Sequence, residues 1–363
     1  MLPVYKSHIP KSSIEYANDA IRSSWISSIG KYVELATEKL KDVSDCEYAI
    51  LANNGTSATH LVTRSLFRFY PEVKRVLVPS ACYVAAYNSL LYEIKNNEID
   101  IHCIDLNPNT WNMDVADIED GDAIFAVHNL GNIINVPDLK KRFGCVIIED
   151  NCEGFFGSYN SVASGSQSLC SSLSFFGNKN ITCGEGGAFL TNDKEVYDFA
   201  LKLRGQGQTE QRYIHDELGY NYRMTNIQAA ILLGQLENYD FMFDSKERVF
   251  NIYQNRLKNT EGIFLQESEP NTKHSMWMFG VRFENLDSYE TARNFFTSKG
   301  IDTRPMFYPY SRHKHLNFSG KETIATNLNN EIVVFPSYPE LKDSEINYVC
   351  DVIEDFVNEL RKP

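Results

Sequence analysis

Three short segments place glycines and polar side chains directly after apolar stretches. In the first, residues 53–57 (NNGTS) separate an apolar stretch at 48–52 from a helical pattern that begins at Thr56. A phosphate group needs free N–H groups at a helix N-terminus, hydroxyls beside them and a glycine that lets the backbone come close. A capped turn without a ligand has the same composition, so this segment alone does not distinguish the two.

The second and third segments supply carboxylates and a lysine. The apolar stretch at 145–148 ends in Glu149 and Asp150. An acid at the carboxyl end of a parallel strand faces the crevice where α/β proteins bind ligands, and it could ligate a metal, bind a ribose or cap a helix. Lys179 lies among glycines in a turn between two apolar stretches. A lone lysine in such a turn is most often a solvated surface charge.

The order of these segments favours one chemistry. A phosphate turn is followed by a strand-end aspartate and then by a lysine 29 residues later (179 minus 150), which is the layout of a pyridoxal 5′-phosphate site. In such a site the aspartate pairs with the pyridinium nitrogen and the lysine forms a Schiff base with the cofactor. The sequence therefore predicts this cofactor.

These segments need a sheet to bring them together. Apolar, β-rich stretches alternate with helical patterns over the first two thirds of the chain, which is typical of a parallel sheet covered by helices on both faces. The seven strand candidates are 48–52, 75–80, 101–106, 123–128, 145–150, 173–177 and 187–192, and helices are expected at 56–69 and 196–203.

The pattern changes after residue 224. Thr225 and Gln228 form a capping box, from which a long helical stretch is expected to run to about Lys258. A strand candidate at 275–284 and a final helix with an apolar stripe over 346–360 follow. We therefore predict a large cofactor domain at 1–240 and a small C-terminal α/β domain at 241–363.

Ten stretches in sequence order resemble the DegT/DnrJ/EryC1/StrS family of sugar aminotransferases. They include NNGTSATHL (53–61), IIEDNCEGFFGS (147–158), SFFGNKNITCGEGGAFLTND (174–193) and LGYNYRMTNIQAAILLGQLE (218–237). The resemblance implies fold type I of the pyridoxal-phosphate-dependent transferases, which is aspartate aminotransferase-like. That α/β fold has a large, mostly parallel, seven-stranded sheet domain and a small C-terminal domain.

The resemblance also implies roles for individual residues. Lys179 would be the Schiff-base lysine and later the base that moves protons, and Asp150 would keep the ring nitrogen protonated. These two are the predicted catalytic residues. Glu153 would bond the phenolic oxygen of the ring, and Tyr83 would stack on its face. The predicted phosphate ligands are Gly55, Thr56, Ser174 and, from a neighbouring subunit, Asn221, which implies a homodimer with shared active sites.

The substrates of this family are nucleotide-linked keto sugars. The stretches WISS (25–28) and RPMFYP (304–309) resemble the perosamine-type and viosamine-type enzymes. We therefore predict amino transfer from L-glutamate to C4 of a 4-keto-6-deoxy sugar nucleotide. The predicted substrate-binding residues are Trp25, Ser27, Ser28, Arg304, Tyr308 and His313. Amination at C3 is one alternative. A dehydratase of the same fold is another, although that branch carries histidine where this chain keeps Lys179.

Composition and charge limit the other partners. The chain has 363 residues, of which 43% are hydrophobic and 23% charged, as in an ordinary folded protein. A formal charge of −13 repels nucleic acid and anionic membranes, so neither is a predicted partner and anionic ligands must be held locally. The eight cysteines lack zinc-site spacing, and the chain shows neither a signal peptide nor a membrane span. These features predict reduced thiols, no metal and a cytoplasmic location.

Overall fold

Short apolar strands connected by amphipathic helices make up the computed structural model, which describes residues 1–94, 99–116 and 123–361. The helices are α1 (Lys11–Arg22), α2 (Lys31–Ser44), α3 (Gly55–Phe69), α4 (Val84–Leu91), α5 (Val136–Phe143), α6 (Lys194–Arg204), α7 (Asn226–Leu236), α8 (Tyr239–Leu257), α9 (Tyr289–Ser298), α10 (Thr323–Glu331) and α11 (Asp343–Leu360). The strands are β1 (Tyr48–Ala52), β2 (Arg75–Pro79), β3 (Asp100–Ile104), β4 (Ala123–Val127), β5 (Val146–Asp150), β6 (Ser158–Tyr159), β7 (Val162–Ala163), β8 (Ser171–Ser174), β9 (Gly187–Thr191), β10 (Ile263–Leu265), β11 (Thr272–Lys273), β12 (Phe279–Phe283), β13 (Arg304–Pro305), β14 (Ser319–Gly320) and β15 (Ile332–Phe335).

The central sheet has the strand order β1-β9-β8-β5-β4-β2-β3-β14. Its pairings are parallel except that β9 runs antiparallel to both β1 and β8. All seven predicted strands have a counterpart in the sheet, which confirms the predicted fold class, although β8 ends at Ser174, three residues before the predicted end at 177. The structure adds an eighth, two-residue strand, β14, at the edge beside β3. Because the parallel strands point the same way, their carboxyl ends meet along one edge of the sheet.

The predicted continuous helix from Thr225 to about Lys258 is wrong. The capping box forms between Thr225 and Gln228, but α7 ends at Leu236 and a second helix, α8, starts at Tyr239. Between them, the Asn238 side-chain amide donates to the carbonyl of Gly234 at 2.7 Å. A short polar side chain that bonds the preceding turn competes with continuation of the helix, so the chain turns here.

A second sheet of order β10-β12-β15-β13 lies in the C-terminal part of the chain. Helices α8, α9 and α11 contribute to its core, and α11 buries the predicted stripe that includes Ile346, Val349, Ile353 and Phe356. A third, small sheet pairs β11 with β6 and so ties the residues just before β12 to the segment that follows β5. The domain boundary at residue 240 stays a prediction.

Two further observations concern the predicted environment of the chain. None of the helices in the described ranges is long and apolar enough to cross a membrane. All eight cysteines are unpaired, and six of them are buried.

Candidate active site

A cavity of about 330 Å³ opens at the carboxyl edge of the central sheet. Its walls come from the β1–α3 turn, the loop after β2, the ends of β4, β5 and β8, and the turn that follows β8. The lining residues are Asn54, Gly55, Thr56, Thr59, Tyr83, Ala85, Val127, Asp150, Cys152, Glu153, Ser174, Phe176, Asn178, Lys179, Glu185 and Trp277.

One end of the cavity is formed by the N-terminus of α3. The Asn54 side chain caps this helix by accepting from the Ser57 amide at 2.8 Å. The first helical amides, those of Gly55 and Thr56, have no acceptor inside the helix and so remain available to an anion. A Cβ atom at Gly55 would lie 2.7 Å from the Cβ of Ser174. Only glycine therefore lets this turn lie against the end of β8. The Ser174 hydroxyl consequently lies at the same end of the cavity as the Gly55 and Thr56 amides.

A buried carboxylate without a counter-charge forms another wall. Asp150, the last residue of β5, is 5% exposed and accepts from the Cys152 amide at 3.0 Å. Within the described part of the chain, no lysine, arginine or histidine nitrogen lies within 4 Å of its oxygens. Burying a carboxylate without a cation is costly, so this position suits a ligand that brings a positively charged N–H group.

Lys179 reaches the cavity between Glu153 and Trp277. Its Nζ lies 3.9 Å from the Glu153 Oε1 atom and 3.9 Å from the centre of the Trp277 ring, and its side chain is 13% exposed. The other Glu153 oxygen accepts from the Leu130 amide at 2.8 Å. Burial raises the pKa of Glu153 to about 7; neighbouring Asp150 adds to the rise, and Lys179 opposes it. The cavity thus holds one amine beside a carboxyl group that is partly protonated near neutral pH.

This donor set fits pyridoxal 5′-phosphate. Backbone amides and a hydroxyl lie at one end for a phosphate, a buried carboxylate without a cation partner is available for a ring N–H, and an amine lies between the walls. The exposed Tyr83, which lies immediately before α4, is on the rim, where a ring could stack.

Most of the predicted cofactor residues meet at this cavity. Seven of the eight line it, namely Gly55, Thr56, Tyr83, Asp150, Glu153, Ser174 and Lys179. Asn221 does not: it is exposed and pairs with Gly205 in an isolated bridge. That placement is compatible with the expectation that Asn221 serves a neighbouring subunit, and the roles of all eight residues stay predictions.

The six predicted substrate residues lie outside the cavity lining of their own chain. The segment 25–28 is anchored on α7, where Asn226 donates to the carbonyls of Trp25 and Ser27; Trp25 and Ser27 are exposed, and Ser28 is half-buried. The 307–310 segment lies along the cavity rim, because Pro309 pairs with Ala81 and Phe307 packs 6.2 Å from the ring of Tyr83.

Arg304, Tyr308 and His313 differ in how available they are. The Arg304 guanidinium already pairs with Asp302 at 2.5 Å, so a substrate anion would have to compete with that carboxylate. Tyr308 is 44% exposed. Burial and the neighbouring His315 lower the pKa of His313, which favours its neutral form. Their substrate roles stay predictions.

His128, which follows β4, is structural in its contacts. Its Nδ1 accepts from the Ile134 amide at 3.1 Å, so its Nε2 carries the hydrogen that is donated to Glu149 at 3.0 Å. Both ring nitrogens are therefore engaged, so neither is free to act as a catalytic base.

Sequence reasoning missed several lining residues. Phe176 and Asn178 lie within three residues before Lys179 and could have been included from proximity alone, whereas Glu185 needs the β8–β9 turn to be known. Trp277 is the most informative omission, since it enters the cavity from the segment before β12 and lies directly against the Lys179 amine. No local pattern around residue 277 distinguishes it from a buried strand position.

Comparisons with known proteins agree with this geometry. The DegT/DnrJ/EryC1/StrS aminotransferase family matches residues 7–354. GDP-perosamine synthase of Escherichia coli O157:H7 is 34% identical over 368 residues, covering 99% of both chains. GDP-perosamine synthase of Vibrio cholerae is 30% identical over 381 residues, covering 99% of this chain and 100% of the relative. Among solved structures, E. coli GDP-4-keto-6-deoxy-D-mannose-3-dehydratase with bound hydrated PLP matches with a TM-score of 0.89. The match covers 97% of this chain and 99% of that one at 20% identity, which shows the shared fold.

Proposed function

The chain belongs to the DegT/DnrJ/EryC1/StrS aminotransferase family and is a pyridoxal-phosphate-dependent nucleotide-sugar aminotransferase, and we propose that its substrate is GDP-linked. In this proposal L-glutamate donates an amino group to C4 of a GDP-4-keto-6-deoxy sugar, giving a GDP-4-amino-4,6-dideoxy sugar of the perosamine type. The observation that carries the choice of nucleotide and carbon is full-length identity of 34% and 30% to two GDP-perosamine synthases.

Different residues of the cavity would contact different parts of the cofactor. The Gly55 and Thr56 amides, with the Thr56 and Ser174 hydroxyls, would hold the phosphate at the N-terminus of α3. When bound, pyridoxal phosphate supplies an electron sink that stabilises negative charge on the substrate carbon. Asp150 would hold the proton on the ring nitrogen, which that function requires. Tyr83 would cover the ring from the rim.

Lys179 would perform the proton transfers. It is the one lysine that lines the cavity in the described ranges, and its amine lies close to the wall formed by Asp150 and Glu153. A side chain of this length can move a proton between neighbouring carbon atoms without leaving the cavity. Glu153, with its pKa near 7, would share a proton with the phenolic oxygen of the ring.

No specific observation favours either of the two alternative functions, a C3-acting aminotransferase or a dehydratase. The dehydratase among the solved structures shares the fold at 20% identity, and this chain keeps lysine at position 179. A dehydratase would remove a sugar hydroxyl as water and leave no nitrogen in the sugar product, whereas the aminotransferase keeps the nitrogen of the donor in the sugar, so analysis of the product separates the two activities.

Asn221 supports an arrangement of two chains with shared sites. Its segment is exposed and does not reach the cavity of its own chain, and large apolar side chains are exposed nearby, among them Tyr213, Ile214 and Leu218. We propose that Asn221 contacts the cofactor phosphate of a second subunit in a homodimer.

Spectroscopy tests the cofactor and the donor. The purified protein should show the visible absorbance of bound pyridoxal phosphate, lose it on addition of L-glutamate and regain it on addition of a GDP-linked 4-keto-6-deoxy sugar. The matching dTDP- and UDP-linked sugars serve as comparison substrates, and NMR of the product locates the new amino group. A protein that binds no pyridoxal phosphate, or a product aminated at C3, would contradict the proposal.

Subunit mixing tests the shared site. Lys179→Ala and Asn221→Asp should each be inactive alone. In a one-to-one mixture, half of the dimers are mixed and each of these has one intact site, so about a quarter of wild-type activity should return. If Asn221 served its own chain, no mixed dimer would contain an intact site and no activity would return.

A further inference from the structure

Lys246, in α8, is a fully buried lysine without an acidic partner. Its Nζ donates to the carbonyl of Trp277 at 2.9 Å and to the carbonyl of Ser337, with the Ser337 hydroxyl at 3.4 Å. In the described ranges no carboxylate oxygen lies within 4 Å of it, and burial lowers the pKa of Lys246 well below its ordinary value. A neutral amine still has two N–H groups, so both carbonyl bonds can persist in either protonation state.

Two side chains beside Lys246 reach the turn that carries Lys179. Trp277 donates its indole N–H to the Asn178 carbonyl at 2.9 Å and places its ring 3.9 Å from the Lys179 Nζ. The ring of Tyr5 lies 5.3 Å from the Lys246 Nζ, and the Tyr5 hydroxyl donates to the Lys179 carbonyl at 2.8 Å. Lys246 is therefore one residue removed from Lys179 along two separate routes, one that reaches its amine through Trp277 and one that reaches its backbone carbonyl through Tyr5.

The turn that carries Lys179 depends on these outside contacts. The Ser7 hydroxyl donates to the Gly177 carbonyl, so the carbonyls of residues 177, 178 and 179 each accept from a side chain outside the central sheet. These donors come from the N-terminal segment and from the residue two positions before β12. The segment is fixed to the same place, because the Ser337 amide donates to the Val4 carbonyl at 3.1 Å.

We infer that Lys246 is a positioning residue for Lys179, acting through Trp277 and Tyr5. Because the Lys246 amine donates to the carbonyls of both Trp277 and Ser337, it fixes the indole that faces the Lys179 amine. It also fixes the N-terminal segment, from which Tyr5 donates to the Lys179 carbonyl. This role rests on the proposed function, since it matters to the reaction only if Lys179 is the reacting amine. A methionine would fill the same volume but would leave both buried carbonyls without this donor.

The test compares Lys246→Met with Tyr5→Phe, which removes one hydroxyl, and with their combination. Lys258→Met is the matched control, since it makes the same chemical change at an exposed position just after α8. In single-turnover reactions with L-glutamate, we expect Lys246→Met to lower the rate by about tenfold to hundredfold while the KM for glutamate changes less than about twofold. Tyr5→Phe should lower the rate by about threefold to tenfold, and the double variant should be within about twofold of Lys246→Met.

A second readout does not depend on turnover. Borohydride treatment followed by mass spectrometry measures the fraction of bound cofactor that is attached to Lys179. This fraction should fall in Lys246→Met and in Tyr5→Phe, and should remain at the wild-type value in Lys258→Met. A purely structural role for Lys246 would lower thermal stability without changing the attached fraction or the ratio of rate to KM.

A folded Lys246→Met protein with the wild-type rate and the wild-type fraction of cofactor attached to Lys179 would overturn the inference. A double variant whose rate loss equals the product of the two single losses would overturn it as well. If Lys246→Met does not fold, Tyr5→Phe and Trp277→Phe carry the test, each removing one hydrogen bond to the turn. Each should slow the half-reaction by at least about threefold, and wild-type rates in both would overturn the inference. Failure of the wild-type protein to bind pyridoxal phosphate or to react with glutamate would instead refute the proposed function.

Discussion

Replacing Glu153 by glutamine should change how the stability of the cofactor-free protein depends on pH. Glu153 is 5% exposed, lies 3.9 Å from the Lys179 amine and has a pKa that burial raises from 4.5 to about 7. Glutamine has nearly the same shape and can still accept from the Leu130 amide. The substitution therefore removes the titration with little change in packing.

The size and sign of the effect follow from linkage. Between pH 4.5 and about 7 the folded protein keeps the proton on Glu153 while the unfolded chain has lost it, so the free energy of unfolding falls as the pH rises. At about 1.4 kcal/mol per pKa unit, a shift of this size corresponds to about 3 kcal/mol. This contribution to stability is fully present below pH 4.5 and is lost as the pH passes through about 7. At pH 5 the variant should be close to the wild type, and at pH 8 it should be more stable by up to about 3 kcal/mol.

Urea unfolding of the cofactor-free protein at a fixed protein concentration, at pH 5, 6, 7 and 8, measures this difference. Glu185→Gln is the control, since Glu185 is an exposed carboxylate on the same cavity and its removal should not produce a gap that grows with pH. A difference between Glu153→Gln and wild type that is constant across this range, or that grows toward low pH, would refute the reasoning.

Three other substitutions test the phosphate end, the amine and a helix start. Lys179→Ala should abolish the glutamate half-reaction, as read from the cofactor absorbance, while leaving the far-ultraviolet circular dichroism unchanged. Gly55→Ala should weaken cofactor binding at least about tenfold in a fluorescence titration, because its Cβ would lie 2.7 Å from the Cβ of Ser174; Gly205→Ala, whose Cβ would come no closer than 3.6 Å to any atom, should bind normally. Thr225→Ala removes the capping box of α7 and should lower the free energy of unfolding by about 1 kcal/mol, measured with urea.

The sequence was most informative where a functional side chain and the secondary-structure element that positions it lie within a few residues of each other. The strand-end placement of Asp150, the helix N-terminus at Gly55 and the turn with Lys179 are each local features, and a parallel sheet brings strand ends to one edge whatever the details of the fold. Seven strands and the family could therefore be predicted without coordinates. The order of the helix N-terminus, the strand-end aspartate and the lysine along the chain was enough to predict the cofactor.

What the sequence could not give depends on single side chains and on distant pairing. The break between α7 and α8 follows from one amide, that of Asn238, within an otherwise helical pattern. Strand β14 has two residues and exists only because β3 lies beside it. Trp277 and Tyr5 lie far from Lys179 in sequence, and both contact it or its turn only after the small sheet and the N-terminal segment have packed.

The net charge of −13 conflicts with a cofactor and a substrate that are both anions, and the cavity shows how the conflict is resolved. Its titratable acid and amine side chains are three carboxyl groups, those of Asp150, Glu153 and Glu185, of which Glu153 is partly protonated near neutral pH, and one amine, that of Lys179. Side-chain charge therefore does not attract a phosphate into it. The attraction is left to the N-terminus of α3 and the hydroxyls beside it, which act only at contact distance and only at one end. Because the carboxylates repel a phosphate from the other walls and favour a cationic ring nitrogen, the same arrangement that captures the cofactor also decides which way round it binds.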